Sequence, residues 1–373
     1  MYASHNLLMS LKNKFLLIAF ILIGIGSLFI YSSSATISLN IYGSTLFFVK
    51  KNLIGIIIGI VMFCIASNLS AQFIKKYNFV WWAIAIFFTA LTIHSPYSLC
   101  INGSRRWLRI GAITFQPTEL LKITFVICLS TYFSYIKKKY TAYNLIPFII
   151  YCIINSLLLL QQPDFGLTCT FLALALIYFF IIYPYFYYTI ALILCIITAA
   201  IHLITTRTYR MQRIITFLNP WNDPQGKGFQ IIQSFIAIGS GGIFGLGFTQ
   251  SKQKFFYLPM QHTDFIFSII SEEIGFIGSF LIIILFALLL YYGIRISMLL
   301  EDRFSALCTV GFTFLTTIQA GINIAVATGT IPTKGIGLPF ISYGNSNLTT
   351  MFFMLGIINS LAKNNIKYIQ RNI

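Results

Sequence analysis

The sequence predicts an all-α polytopic membrane protein, on the strength of its composition and the lengths of its apolar runs. Hydrophobic residues make up 58% of the 373 residues and charged residues only 9%. A soluble domain has about a quarter of its residues charged, which this chain does not approach. Its apolar runs repeatedly approach the ~20 residues that an α-helix needs to span a hydrocarbon core. We therefore expect a single membrane domain over residues 1–373.

Ten apolar runs predict about ten transmembrane helices, with a long external segment at about residues 206–263 between the seventh and the eighth. The first run, preceded by Lys12 and Lys14 and followed by small residues, is also typical of a cleavable signal peptide. Its length and the spans that follow favour an uncleaved first helix. In the second run, Gly55 and Gly59 are spaced for close helix packing. The predicted helices cover about 15–31, 50–68, 78–95, 117–136, 144–161, 166–183, 185–205, 265–293, 304–328 and 346–362.

Lysine and arginine positions give the orientation. Cytoplasmic loops of membrane proteins carry an excess of these residues, and ten helices place both termini on one side. Lys50 and Lys51 oppose the rule mildly. The side assigned to the cytoplasm holds Lys12, Lys14, Lys75, Lys76, Lys137 to Lys139, Arg295, Arg303, Lys363, Lys367 and Arg371. The sequence therefore predicts a multi-pass protein of the cytoplasmic membrane with both termini inside.

Two external segments carry positive charge against this rule. The net charge is +17, but the basic residues form short clusters between helices and do not predict nucleic-acid binding. Clusters on two separate external segments favour an anionic ligand, such as a phosphorylated lipid. The clusters are Arg105, Arg106 and Arg109 in one segment, and Arg207, Arg210, Arg213, Lys227, Lys252 and Lys254 in the other.

The cysteines and histidines predict neither a disulfide framework nor a metal cluster. Six of the seven cysteines fall within or at the edges of apolar segments, and only Cys100 lies in a loop. The four histidines are widely spaced and match no metal-binding motif.

The chain has only eight acidic residues, so the carboxylates available for proton transfer are few. Asp264 is the best placed, because it lies where the polar external segment meets an apolar helix. The structural alternative is that Asp264 only caps this helix. Asp164, in the sequence Gln-Pro-Asp-Phe-Gly, can cap the next helix or face a cavity.

Three more carboxylates lie within predicted helices, where ionised groups are costly unless they are paired or lie in a wet cavity. Glu119 and Lys122 are three residues apart on one helix face, which predicts a structural salt bridge. Glu272 and Glu273 are adjacent and point in different directions, so we do not expect them to share a proton. At least one of them must face the interior of the bundle.

Two glycine-rich segments indicate close backbone approach. The segment 239–247 matches no nucleotide-binding fingerprint, so its glycines predict close packing or a turn at the membrane surface. Ahead of it, Gln230 and Gln233 lie near enough along a helix to hydrogen-bond a sugar together. The last external loop, residues 329–344, is rich in glycine and proline and predicts a re-entrant or cavity-lining segment.

Five motifs in order resemble the SEDS family of polytopic peptidoglycan glycosyltransferases, which includes FtsW, RodA and SpoVE. They are NGSRRWLRIG with FQPTELLK, QPDFG, NPWNDPQGKGFQIIQSFIAIGSGG, HTDFIFSIISEEIG and TGTIPTKGIGLPFISYG, and they cover nearly the whole chain. The stretch SKQKFFYLP is more similar to the FtsW branch. The chain departs from the family at Thr118, where serine is usual, and at Gly344 to Asn347, where the family commonly has Gly-Gly-Ser-Ser.

The resemblance implies polymerisation of lipid II, the lipid-linked disaccharide-pentapeptide, at the outer face of the cytoplasmic membrane. Asp264 would then act as the catalytic base. The implied partners are a single-span class B penicillin-binding transpeptidase and other division proteins, at the division septum. The resemblance assigns no definite cofactor, and a divalent cation, Mg²⁺ or Mn²⁺, is compatible with a pyrophosphate leaving group. The candidate substrate-binding residues are Arg105, Arg106, Arg210, Arg213, Gln233, His262 and Ser342, supported by Glu119, Lys122, Asp164, Glu272 and Glu273.

Three alternatives remain open at this point. A flippase for the same lipid would also have a cationic cavity and charges within the membrane. A non-catalytic scaffold for division proteins is a second alternative. A RodA-like polymerase acting in cell elongation is the third.

Overall fold

A computed structural model gives the fold, and it describes residues 2–96, 98–101, 104–111, 113–136, 145–183, 186–206, 208–255 and 258–371. Lys137 to Lys139 and Arg207, used above for orientation and charge, lie outside these ranges. The helices are α1 (Tyr2–Tyr42), α2 (Phe47–Ala66), α3 (Ala71–Lys76), α4 (Asn78–His94), α5 (Pro117–Tyr135), α6 (Ile146–Gln161), α7 (Phe165–Ile182), α8 (Phe186–Thr205), α9 (Thr208–Leu218), α10 (Phe229–Gly241), α11 (Ile266–Leu299), α12 (Arg303–Ala327) and α13 (Asn345–Arg371).

Each of the ten predicted spans corresponds to one of these helices, which confirms a polytopic helical membrane protein. Six of the described helices are long and apolar enough to cross a membrane by length and composition alone, namely α1, α2, α7, α8, α11 and α12. Helix α5 is not among the six, and it carries Glu119 and Lys122 close to its first turn. The short helices α3, α9 and α10 lie in the segments between the predicted spans.

The central helices pack through one large apolar core that includes residues of α1, α5, α7, α12 and α13. Tyr178 of α7 links three of these helices, because its hydroxyl contacts Ser130 of α5 at 2.7 Å and donates to the Leu307 carbonyl of α12 at 2.9 Å. Gly59 of α2 faces α13 so closely that a Cβ there would lie 2.2 Å from the Phe352 ring. The predicted close packing at the glycine pair is therefore confirmed.

A small antiparallel sheet adds a local feature that was not predicted to the helical architecture. Strands β1 (Ser98–Ile101), β2 (Ser104–Ile110) and β3 (Ile113–Phe115) form a three-stranded sheet in the order β1-β2-β3. Gly111, at a φ of +63°, makes the turn between β2 and β3, a conformation that costs glycine little. Strand β2 carries a β-bulge at Arg106: Leu99 pairs with Trp107 and Cys100 pairs with Arg105, so Arg106 is the extra residue of the strand.

The glycines of segment 239–247 bring the external segment against α11, as predicted. Helix α11 breaks at Gly275, whose φ is +67°. The broken turn exposes backbone groups, and the segment pairs with them: Leu246 N donates to Glu272 O and Gly247 N to Glu273 O, both at 3.0 Å. In return, Phe276 N donates to Gly242 O at 2.9 Å. This pairing satisfies backbone groups that a continuous helix would satisfy internally.

Glu272 and Glu273 fix the next part of the external segment to the same break. Both side chains are buried. Glu272 accepts hydrogen bonds from Ser251 Oγ and from the backbone N–H of Lys252 at 2.8 Å. Glu273 pairs with Lys254 at 3.2 Å and accepts a hydrogen bond from Ser32 of α1. The two carboxylates therefore bind different partners and do not form a dyad.

Candidate active site

A cavity of about 730 Å³ opens among the external ends of the helices and the two external segments. Strand β2 contributes Arg106 to its wall, and the last loop contributes residues 333–337 and 342–344. The prediction that this loop lines a cavity is confirmed. Charged residues of both signs line the cavity, namely Arg106, Glu119, Lys122, Asp164, Arg213, Asp264 and Lys334.

Asp264 lies on the cavity wall two residues before α11. Phe265 is the residue at the N-cap position, and no side chain caps this helix, so the alternative that Asp264 is only a helix cap is wrong. Asn323 of α12 fixes the backbone by donating to Asp264 O at 2.7 Å. At Gly335 a Cβ would lie 3.3 Å from Asp264 Oδ2, so the absence of a side chain there leaves room beside the carboxylate.

Burial raises the pKa of Asp264 to about 6, against the opposing influence of the cations Arg106 and Arg213. Desolvation disfavours the charged carboxylate, while a nearby positive charge favours it. A carboxylate with this pKa is still mostly ionised at neutral pH and is a stronger base than an exposed aspartate. Asp264 can therefore take up a proton from a reacting group in the cavity.

Arg106 and Asp164 form another part of the cavity wall. Arg106 Nε lies 3.3 Å from Asp164 Oδ2, and Arg106 Nη2 donates to Pro163 O at 2.8 Å. The other carboxylate oxygen of Asp164 accepts from Leu167 N at 3.1 Å and so caps α7. Asp164 thus caps a helix and also faces the cavity. Arg105 is exposed and does not line the cavity, which places this candidate outside the site.

Of the two candidate arginines in α9, only Arg213 lines the cavity. Its Nη1 donates to Thr333 O of the last loop at 3.0 Å. Arg210 turns away, donating to Leu203 O at 2.8 Å and lying 5.4 Å from the centre of the Phe165 ring. Lys334 contacts the same ring at 5.6 Å and lines the cavity, and it was missed as a candidate. The signal for it was its position as the sole charged residue of the loop 329–344.

Two further candidate residues, Ser342 and His262, are held by contacts with the protein. Ser342 lines the cavity, but its Oγ donates to Thr263 O at 2.6 Å and accepts from Leu338 N at 2.7 Å. His262 is absent from the cavity lining, and its ring packs against Phe48 at 4.7 Å. Burial lowers the pKa of His262 to about 4, so the ring is neutral at neutral pH. Both residues hold the chain just ahead of Asp264, at positions 262 and 263.

The remaining candidates separate into one pair inside the cavity and one residue outside it. Lys122 Nζ lies 2.8 Å from Glu119 Oε1, both side chains are buried, and both line the cavity, so the predicted ion pair is confirmed. Gln233 does not line the cavity, whereas Gln230 does. Sequence spacing alone could not tell which face of α10 would turn inward.

No three side chains of histidine, cysteine, aspartate or glutamate gather to hold a metal within the part of the chain that the structure describes. The acidic residues that line the cavity are Glu119, Asp164 and Asp264. Glu119 and Asp164 are paired with Lys122 and Arg106, which leaves Asp264 as the carboxylate suited to an additional cation.

A family model described as a cell cycle protein, and named for FtsW, RodA and SpoVE, matches residues 13–367. The chain belongs to the FtsW/RodA/SpoVE family. Among curated relatives, the stage V sporulation protein E of Bacillus subtilis (strain 168) is 36% identical over 349 residues, covering 93% of this chain and 95% of the relative. A probable peptidoglycan glycosyltransferase FtsW of Geobacter sp. (strain M18) is 35% identical, covering 92% of this chain and 94% of the relative.

Solved structures of the family share the fold. A chain of a peptidoglycan synthase complex, in a study of how polymerization and crosslinking are coordinated, superimposes with a TM-score of 0.79 at 24% identity and covers 94% of this chain. The match covers 97% of that chain. The rod shape determining protein RodA of Thermus thermophilus gives a TM-score of 0.71 at 21% identity, covering 94% of this chain and 96% of RodA.

The two asparagines that depart from the usual FtsW/RodA/SpoVE loop sequence take different places. Asn345 packs against Gly55 of α2, where a Cβ would lie 2.6 Å from Asn345 Oδ1. Asn347 lines the cavity. The first substitution is therefore accommodated by a glycine of a neighbouring helix, and the second changes the lining of the site.

Proposed function

We propose that this chain is a peptidoglycan glycosyltransferase that polymerises lipid II at the outer face of the cytoplasmic membrane. The observation that carries the proposal is the cavity in which the Asp264 carboxylate lies with Arg106, Arg213 and Lys334. Relatives with 33 to 36% identity over at least nine-tenths of the chain, several of them named as peptidoglycan glycosyltransferases, support it. They do not favour the flippase or scaffold alternatives.

The cavity supplies what glycosyl transfer needs. A sugar hydroxyl has a pKa far above 7, so its attack on an anomeric carbon is helped by a base that removes its proton. Asp264 takes this proton as the new glycosidic bond forms. The bond between the anomeric carbon and the lipid pyrophosphate breaks, and the negative charge that develops on the pyrophosphate is stabilised by the cations Arg106, Arg213 and Lys334.

A divalent cation, Mg²⁺ or Mn²⁺, would be held in this cavity by the Asp264 carboxylate together with the oxygens of the substrate. Mg²⁺ is usually held by one or two carboxylates together with substrate phosphates, which is the ligand set available here. When bound, it would stabilise the charge on the leaving pyrophosphate.

A role in cell division, at the septum, is the finer part of the proposal. It is supported by the stretch SKQKFFYLP and by relatives named FtsW. The proposed partners are a single-span class B penicillin-binding transpeptidase and other division proteins. The relatives do not favour the elongation alternative.

Glycan synthesis in detergent tests the enzymatic proposal, because a detergent micelle allows no translocation. The purified full-length chain, together with the partner transpeptidase, is given fluorescent lipid II, and the glycan chains are separated by size. We expect polymer from the native chain and a reduction of ~10²-fold or more with Asp264→Asn, the scale of losing a general base.

Asp223→Asn is the matched control, since Asp223 is exposed and only closes a turn by accepting from Lys227 N at 3.0 Å. This variant should keep its activity. Near-normal synthesis by well-folded Asp264→Asn protein would remove Asp264 from the mechanism. Failure of the native chain to make any polymer, with lipid II translocation intact in vesicles, would favour the flippase.

A further inference from the structure

Gln319 of α12 lines the cavity with its hydrogen-bonding capacity unused. The side chain is 0% exposed, and neither Oε1 nor Nε2 finds a hydrogen-bond partner among the residues that the structure describes. A buried polar group without a partner costs about 1–3 kcal/mol, and almost all such groups in folded proteins are satisfied. The position of Gln319 on the cavity wall therefore points to a ligand.

Helix packing brings Asn347 of α13 to the same level as Gln319. Thr316 Oγ1 lies 3.9 Å from Met351 Sδ, which places these two residues opposite each other on α12 and α13. The two helices run in opposite directions. Gln319 on α12 and Asn347 on α13 each lie about one turn nearer the cavity than the Thr316–Met351 contact, so they are at the same depth. Asn347 also lines the cavity, and its Oδ1 is buried with no partner in the described part of the chain.

Glu119 of α5, the third helix at this site, lies at the same depth in the bundle as Gln319 and Asn347. A Cβ on Gly311 of α12 would lie 2.7 Å from Val126 of α5, which sets these two residues opposite each other. Helices α5 and α12 also run in opposite directions. Gln319 and Glu119 each lie about two turns nearer the cavity than this contact, so they are at the same depth in the bundle. Glu119 Oε1 is bonded to Lys122, while Oε2 has no partner within the described ranges. Three helices thus bring buried polar atoms without partners among the described residues to the inner end of the cavity.

The chemistry of this inner site selects a neutral ligand. Lys122 neutralises Glu119, so the site attracts neither a free anion nor a free cation strongly. The unused groups are one amide donor, Gln319 Nε2, and three acceptors, Gln319 Oε1, Asn347 Oδ1 and Glu119 Oε2. A secondary amide supplies both an N–H for an acceptor and a C=O for the donor, and neighbouring hydroxyl groups can fill the remaining acceptors.

We propose that Gln319 and Asn347 form an inner subsite that recognises the acetamido group of an amino sugar, and so determine the specificity of the enzyme for N-acetylated sugars. This inference rests on the proposed function and names the part of the substrate that the deep end of the cavity binds. A site built to hydrogen-bond a polar group discriminates strongly against an analogue that lacks it, because its buried groups are then left unpaired. Discrimination by this subsite is what the experiment measures.

The test compares lipid II with two analogues in which one sugar or the other carries a hydroxyl in place of the acetamido group. The kcat/KM of the full-length chain with its partner is measured for each substrate. We expect the native chain to prefer lipid II over one analogue by about 100-fold or more. Gln319→Met, which keeps the volume but removes both hydrogen-bonding atoms, should reduce this preference by about 10-fold or more.

Asn347→Leu, which keeps the volume of the side chain but removes its hydrogen-bonding atoms, is the second variant, and it should reduce the preference in the same direction. Gln161→Met is the matched control, an exposed glutamine that does not line the cavity, and it should leave the preference unchanged. Equal losses of kcat/KM on all substrates, with an unchanged preference, would overturn the proposal, as would a native chain that uses both analogues as well as lipid II. A native chain that polymerises none of the three would instead refute the proposed function.

Discussion

At the scale of single residues, Asp264 is governed by two opposing influences. Burial at the cavity wall raises its pKa to about 6, and the positive charges of Arg106 and Arg213 limit that rise. The same two arginines line the cavity into which the carboxylate faces. Their charges therefore tune the base as well as attract a negatively charged substrate.

The pH dependence of activity should report this balance. A general base acts only when ionised, so we expect glycan synthesis by the native chain to rise with pH through about 6. Arg213→Gln removes a charge that lowers the pKa of Asp264, so the midpoint of this rise should move to higher pH. Initial rates between about pH 5 and pH 8 measure it. Lys227→Gln, at an exposed cation bonded to Gln212, should leave the midpoint in place, and a downward shift with Arg213→Gln would contradict the assignment.

The Glu119–Lys122 pair makes a second prediction at this scale. Removing one partner leaves the other as an unpaired buried charge, at a cost of about 3–5 kcal/mol. We expect Glu119→Gln to lower the thermal midpoint of the detergent-solubilised protein, and Lys122→Met added to it to give a less than additive loss. Glu301→Gln, at an exposed residue, is the control and should have little effect. Fully additive losses would mean that the two side chains do not interact.

At the scale of elements, the break in α11 at Gly275 organises the external segment. The break frees backbone groups that pair with residues 242–247, and the adjacent Glu272 and Glu273 fix residues 251–254. A few residues later the same segment reaches Asp264. The broken helix thus holds the chain on the approach to the proposed catalytic residue.

Gly275→Ala should disrupt this arrangement. The φ of +67° strains any residue with a side chain, and a Cβ would lie 2.3 Å from Gly245 N, a backbone atom that cannot move without breaking the pairing. Strain of this kind costs about 1–3 kcal/mol, and the clash adds to it. We expect a lower thermal midpoint and less folded protein. Gly24→Ala is the control, because no atom lies within 4 Å of a Cβ there, and alanine favours a helix over glycine by up to about 1 kcal/mol. Equal behaviour of the two variants would argue against the break.

At the scale of the whole molecule, charge and topology act together. The cavity lies at the end of the bundle assigned to the outside, and both external segments bring cations to it. Positive charge on the outer side opposes the usual insertion bias, so a functional role for these cations explains their presence. The orientation itself is a prediction that labelling can check.

Single cysteines should report the two sides of the membrane. In a background with the exposed Cys64, Cys100 and Cys195 replaced, Lys227→Cys should react with an impermeant maleimide in intact spheroplasts. Lys363→Cys, exposed near the end of α13, should react only after lysis. The reverse pattern would overturn the topology.

The sequence by itself determined the ten helices, the long polar segment between the seventh and the eighth, the ion pair and the position of Asp264 at the end of that segment. Apolar runs of this length must satisfy their backbone groups within a helix, and ionised groups in such runs must find partners. These rules act locally along the chain, so Glu119 and Lys122 could be paired from spacing alone. The glycine segments could likewise be assigned to close packing before any partner was known.

Only the tertiary structure decided which polar side chains meet in the cavity. Arg106 faces it and Arg105 does not, and both lie at a β-bulge of a strand that was not predicted. Gln230 replaces Gln233, and Gln319 and Lys334 enter the site from α12 and from the loop that follows it. These choices depend on how each helix is rotated about its axis, which is set by packing against neighbours such as Phe352 on Gly59, and not by any local pattern of residues.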